Sequence, residues 1–94
     1  MECGSVSFSH HAITQMFSRN ISVEDVAAVL EHGEAIENYP GDIPYPSCLL
    51  LGKIRNRALH VVVAQNAADA SCIVITAYEP SLVLWQSDFK TRKK

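Results

Sequence analysis

The run Ala58-Leu59-His60-Val61-Val62-Val63-Ala64 constrains the fold of this chain more than any other feature. Three consecutive valines crowd a helical turn but pack well on a pleated surface. Residues 57–64, which hold this run, are therefore a strand whose apolar run is interrupted by one polar residue, His60. Residues 47–54 and 72–78, also rich in Val, Ile and Leu, read as two more strands. Arg55-Asn56 makes the turn between the first two, and the loop of residues 66–70 leads into the third. The three form an antiparallel meander.

Side chains alternate along a strand. A two-residue turn at Arg55-Asn56 then places Leu49, Leu51 and Lys53 on one face with Ala58, His60 and Val62. The opposite face receives Leu50, Ile54, Leu59, Val61 and Val63, all apolar, and Gly52 there leaves room for a helix to approach. If His60 stands opposite Tyr78, then Thr76 and Tyr78 join the less apolar face and Ile73, Ile75 and Ala77 join the core. A slip of one residue reverses this assignment. The less apolar face is expected to be open.

Before the meander, Ala12, Ile13, Met16 and Phe17 recur at helical spacing, which predicts a helix over residues 9–19 with Ser7 or Ser9 as N-cap. Asn20 ends it. Ser22, followed by Glu24 and Asp25, opens a second helix over residues 22–32 that buries Val26, Ala27, Val29 and Leu30 and stops at Gly33. Residues 35–39 read as a short strand, and three prolines within residues 40–46 exclude regular structure there. Residues 80–89 make a short terminal helix or turn. The expected fold is α+β: two N-terminal helices packed on an antiparallel sheet of three to four strands, with a short C-terminal helix or turn.

Ninety-four residues form a single domain, here spanning 1–94 with a basic C-terminal tail. No apolar run approaches the roughly 20 residues that span a bilayer, and no basic region precedes an apolar signal core. The expectation is a soluble cytoplasmic protein with no membrane contact. Cys3, Cys48 and Cys72 are isolated and odd in number, so they are expected to be reduced thiols. The four histidines lack metal-ligand spacing, and neither a metal nor a cofactor is expected.

Charge is divided along the chain. Residues 1–52 hold one base and seven acids, a net −6, while residues 53–94 hold seven bases and three acids, a net +4. Lys53, Arg55 and Arg57 cluster around one turn, and Lys90 and Arg92 begin a basic end. These are the expected nucleic-acid contacts, because clustered cations attract phosphates.

On the first helix His11, Gln15 and Arg19 recur at i, i+4 and i+8 and form one polar stripe. Such a stripe can be merely the wet side of the helix, or it can face the same cleft as His60 and Tyr78. In the second case the parts suit RNA cleavage. The 2′-hydroxyl must lose a proton, the leaving 5′-oxygen must gain one, and the phosphate charge must be neutralised. Histidine titrates near neutral pH, and arginine offers a planar fork to phosphate. His11, Arg19, His60 and Tyr78 are the candidate catalytic residues.

The segments Phe8-Ser9-His10-His11-Ala12, Leu51-Gly52-Lys53, Leu59-His60-Val61-Val62-Val63 and Ile75-Thr76-Ala77-Tyr78-Glu79-Pro80, together with Arg19 and Trp85, resemble a family of short bacterial domains of unknown function. That family is similar to RelE-like, BrnT-like and MqsR-like toxins and to the barnase and RelE type of endoribonuclease fold. The resemblance implies a RelE-like domain acting as an mRNA interferase, on RNA that is free or on the ribosome, and paired with a small antitoxin protein. It also implies an arginine where this chain has Gln15. The alternative is a non-catalytic RNA- or protein-binding module.

Overall fold

Local capping fixes the two helices. In the computed structural model, which describes all 94 residues, strand β1 (Ser5–Phe8) leads into helix α1 (His10–Arg19). The Ser9 side chain caps α1 by accepting from the Ala12 N–H at 3.0 Å. Asn20, in the left-handed region at φ 56°, ends it. Helix α2 (Val23–His32) starts from a capping box in which Ser22 and Asp25 each accept from the other's backbone N–H.

Strands β2 (Glu34–Tyr39), β3 (Ser47–Ile54), β4 (Arg57–Asn66) and β5 (Ser71–Tyr78) complete the chain's regular structure. The sheet order is β1-β5-β4-β3-β2, with β1 parallel to β5 and the other neighbours antiparallel. The fold is α+β, but the expected sheet of three to four antiparallel strands is corrected to five strands in a mixed sheet. Residues 79–94 hold no helix; they form turns and an isolated bridge between Trp85 and Arg92. The extra strand, Ser5-Val6-Ser7-Phe8, is short and largely exposed, and its parallel partner lies 66 residues on, so no local pattern marks it.

The core lies between the helices and one sheet face. Ala12, Met16, Val26, Val29 and Leu30 meet Leu50, Leu59, Val61, Val63, Val74 and Ala77 there, all buried. At Gly52 a Cβ would stand 2.7 Å from a Val29 methyl, so α2 rests directly on the backbone of β3. On α1 only part of the apolar stripe is buried: Ile13 is 55% and Phe17 91% exposed, because the helix turns its Ala12 and Met16 edge to the sheet.

His60 does pair with Tyr78, and Val62 with Thr76. Between Val62 and Val63 the register then shifts by one residue, so Val63 pairs with Val74. This bulge reverses the alternation behind it. Cys72 and Val74 take the core positions expected of Ile73 and Ile75. The Ser9 hydroxyl donates to the Ile75 carbonyl at 2.8 Å, and the Ser9 N–H donates to the Val74 carbonyl at 2.9 Å. The bulge is thus where the N-terminus of α1 docks.

Contrary to the expectation from their spacing, the cysteines are not all reduced thiols. Cys3 and Cys72 form a disulfide with Cα atoms 5.6 Å apart, and only Cys48 is a free, buried thiol. Spacing gave no sign of the bond because β1, which carries Cys3 to β5, was not legible. No helix is long and apolar enough to cross a membrane.

Candidate functional site

The second sheet face is not open. The C-terminal segment crosses it as a strap and carries Trp85, 2% exposed, onto His60, with ring centroids 4.6 Å apart at 87°. Arg92 sits over the other part of this contact, 4.5 Å from the Trp85 ring centroid. Its guanidinium donates two hydrogen bonds to Glu37 of β2, at 3.0 and 3.2 Å. The Tyr39 hydroxyl donates to the same carboxylate. Hydrogen bonds from Arg92 and Tyr39 hold the Glu37 pKa below its ordinary value against the opposing effect of burial. The strap is therefore fastened to β2 by the ion pairs Arg92–Glu37 and Lys90–Glu34, and to His60 by an aromatic contact and the hydrogen bond described below.

Between strap and sheet edge lies a cleft of about 440 Å³. Helix α1 supplies His11, Gln15 and Arg19; β5 supplies Thr76 and Tyr78; and the segment after it supplies Glu79, Ser81, Leu84, Trp85 and Arg92. The i, i+4, i+8 stripe thus forms one wall and Tyr78 another. Leu84, 62% exposed, is the apolar part of the rim.

His60 does not line this cleft. It is 0% exposed and stands behind Tyr78, with both ring nitrogens engaged. Nε2 lies 2.8 Å from the Phe89 carbonyl oxygen, which can only accept, so Nε2 carries the proton. Nδ1, 3.1 Å from the Tyr78 hydroxyl, is then the acceptor of the neutral ring, and Tyr78 donates to it. Burial lowers the His60 pKa; the Phe89 carbonyl and Glu37 oppose that effect and Arg92 adds to it. Burial likewise raises the Tyr78 pKa, so both partners are neutral at neutral pH.

The expected nucleic-acid contacts do not gather on one face. Arg55 pairs with Asp25 at 3.3 Å, Lys90 with Glu34 at 3.0 Å, and Arg92 with Glu37. Arg57 pairs with Glu79 and also donates to the Arg19 and Asn20 carbonyls at the end of α1. Lys53 is exposed, without an ion pair, and shares a recess with His32 and Lys90. Among the four arginines Arg19 alone has no carboxylate partner. No three His, Cys, Asp or Glu side chains converge to hold a metal ion.

Of the strap residues in the cleft only Arg92 is a candidate from sequence, as a nucleic-acid contact; Glu79, Ser81, Leu84 and Trp85 and the Glu37 anchor are not. Trp85 stood in the quoted resemblance, but nothing local told that it would cover His60. Alternation alone puts Glu37 and Tyr39 on one face of the strand, but which face of the sheet that is depends on the register of β2, which pairs Glu37 with Leu49.

Two comparisons with known proteins find nothing: no curated protein and no solved structure matches the chain. A family model does match, over residues 8–79, and its description is a domain of unknown function, DUF4258.

Proposed function

We propose that this chain, which belongs to the DUF4258 family, cleaves the backbone of RNA without a metal ion, as the toxin of a toxin–antitoxin pair. The observation that carries the reading is Arg19, the arginine left without a carboxylate partner, in one cleft with His11 and Tyr78. A free guanidinium beside two proton-handling groups suits a phosphodiester. Arg19 holds the scissile phosphate through parallel hydrogen bonds. Exposed His11 protonates the leaving 5′-oxygen, and Tyr78 meets the 2′-hydroxyl. Lys53 and the tail residues contact the flanking backbone. The toxin role and the antitoxin partner are supported by the sequence resemblance alone.

Gln15 favours a second reading, a non-catalytic RNA- or protein-binding module. It occupies the cleft wall between His11 and Arg19 where the resemblance implies another cation. The two readings part on one assay. Purified protein is incubated with single-stranded RNA, with and without ribosomes, in the presence of chelator. The enzyme reading expects products ending in a 2′,3′-cyclic phosphate and resistance of RNA bearing a 2′-deoxy sugar at the cut. Arg19→Gln, on the helix surface, is expected to lower cleavage by roughly 10²-fold to 10³-fold, the scale of losing one transition-state donor, with an unchanged unfolding midpoint. Binding without cleavage in the wild type selects the module.

A further inference from the structure

The direction of the hydrogen bond between Tyr78 and His60 has a chemical consequence for the cleft. Tyr78 gives its only proton to His60 Nδ1, so the phenol oxygen presents lone pairs alone to a ligand. A group meeting it must be a donor. Phosphate oxygens and base carbonyls are excluded as partners of this atom, and a sugar hydroxyl fits.

We infer that Tyr78 and His60 act as one relay that takes the proton of the substrate 2′-hydroxyl. This rests on the RNA-cleavage reading above and deepens it. The 2′-oxygen attacks the phosphorus as its proton passes to the Tyr78 oxygen, while the Tyr78 proton passes to His60 Nδ1. The new bond is 2′-O–P and the broken bond is P–5′-O. The 5′-oxygen leaves with a proton from His11. The imidazolium formed at His60 keeps its Nε2–H on the Phe89 carbonyl. When the product has left, His60 returns its proton through Tyr78 to water, and His11 takes one up.

Burial disfavours a charge on His60 and so keeps the imidazolium short-lived, while the Phe89 carbonyl and Glu37 favour it. Around the ring stand Tyr78 from β5, Leu51 opposite it on β3, and Trp85, the Phe89 carbonyl and Arg92 from the strap, with Glu37 of β2 close enough to favour the charged form. Arg92 opposes it but is tied to Glu37. In this relay Tyr78 touches substrate and is the catalytic residue, whereas His60 is a positioning residue that stores the proton. The strap is a working part, since the Phe89 carbonyl sets which nitrogen is bare.

The test is a pH–rate profile of RNA cleavage for wild type, Tyr78→Phe, His60→Gln and the double variant. Each single variant is expected to lose roughly 10²-fold to 10⁴-fold, the usual contribution of acid–base catalysis, and the double variant to lose no more than either, as groups acting as a unit do. The acid limb of the wild-type profile, set by His60, should vanish in all three. Tyr78→Phe keeps the ring and carries the test if His60→Gln does not fold. Losses that multiply in the double variant, or an acid limb that survives Tyr78→Phe, overturn the relay and leave the nuclease reading standing. No cleavage by the wild type removes the nuclease reading and the relay with it.

Discussion

A fully buried histidine is stable in a protein only where both ring nitrogens are partnered and the ring stays neutral. His60 meets both conditions with Tyr78 and the Phe89 carbonyl. Its pKa, lowered by burial, lies below the value of about 6.5 expected in the unfolded chain. Between the two values the unfolded chain binds more protons, so stability rises with pH through that window. The contribution of the neutral ring is fully present above about pH 6.5 and is lost as pH falls toward the folded pKa. Glu37 and Asp25, whose pKa values are lowered too, act in the same direction but only below the ordinary carboxylate range. The urea midpoint of the wild type is therefore expected to fall between about pH 7.5 and 5.5, followed by the emission of Trp85, the single tryptophan and a neighbour of His60. In His60→Gln, whose amide can both accept from Tyr78 and donate to Phe89, the midpoint should stay level over that range. Equal slopes for the two proteins would assign the acid sensitivity elsewhere.

At the scale of elements, what was legible was local. The valine run, the turn at Arg55-Asn56 and the serine caps each act within a few residues, and the central strands and both helices follow from them. The His11, Gln15 and Arg19 stripe was legible for the same reason, since helical spacing alone puts it on one wall. The elements that complete the site were not. The bulge between Val62 and Val63 has no glycine to mark it, yet it decides which residues of β5 are buried and where α1 docks. The strap is held by contacts to Glu37 and His60 that are distant in sequence. Gly52 shows what sequence could foresee and structure could measure. It was expected to admit a helix, and its missing Cβ would stand 2.7 Å from one Val29 methyl and 3.2 Å from the other. Valine has one preferred rotamer in a helix, so the clash must move α2 itself. Gly52→Ala is expected to cost about 1–3 kcal/mol, the range for overpacking a core. Val29→Ala in the Gly52→Ala background should then be less destabilising than Val29→Ala alone, and additive losses in this double-mutant cycle would refute the close approach.

The whole molecule is a sheet held from both sides, by helices on one face and the strap on the other. The charge division along the chain, −6 against +4, closes on itself in this arrangement. Arg55–Asp25, Lys90–Glu34 and Arg92–Glu37 each join a base of the second part to an acid of the first. Pairs with at least one solvent-exposed partner add little stability each, but with Arg57–Glu79 they engage four of the eight Lys and Arg side chains, and Arg19 is the one arginine left free. The two ends of the chain are fastened differently. The strap depends on buried Trp85 and on polar contacts, whereas β1, short and exposed, is held to β5 by its ladder and by Cys3–Cys72. That bond spans 69 residues of sequence, so it restricts most of the unfolded chain. The chain-entropy model gives about 4 kcal/mol for a loop of this size, a large share of the roughly 5–15 kcal/mol of a typical domain. Reductant is therefore expected to lower the urea midpoint of the wild type markedly. Cys3→Ser should show the lower midpoint without reductant and no further change with it. Thiol titration of the unreduced, denatured wild type should find one free cysteine, Cys48, of the three. Three free thiols, or a wild-type midpoint indifferent to reductant, would mean that β1 is held by its ladder alone and that the N-terminal edge of the sheet frays first.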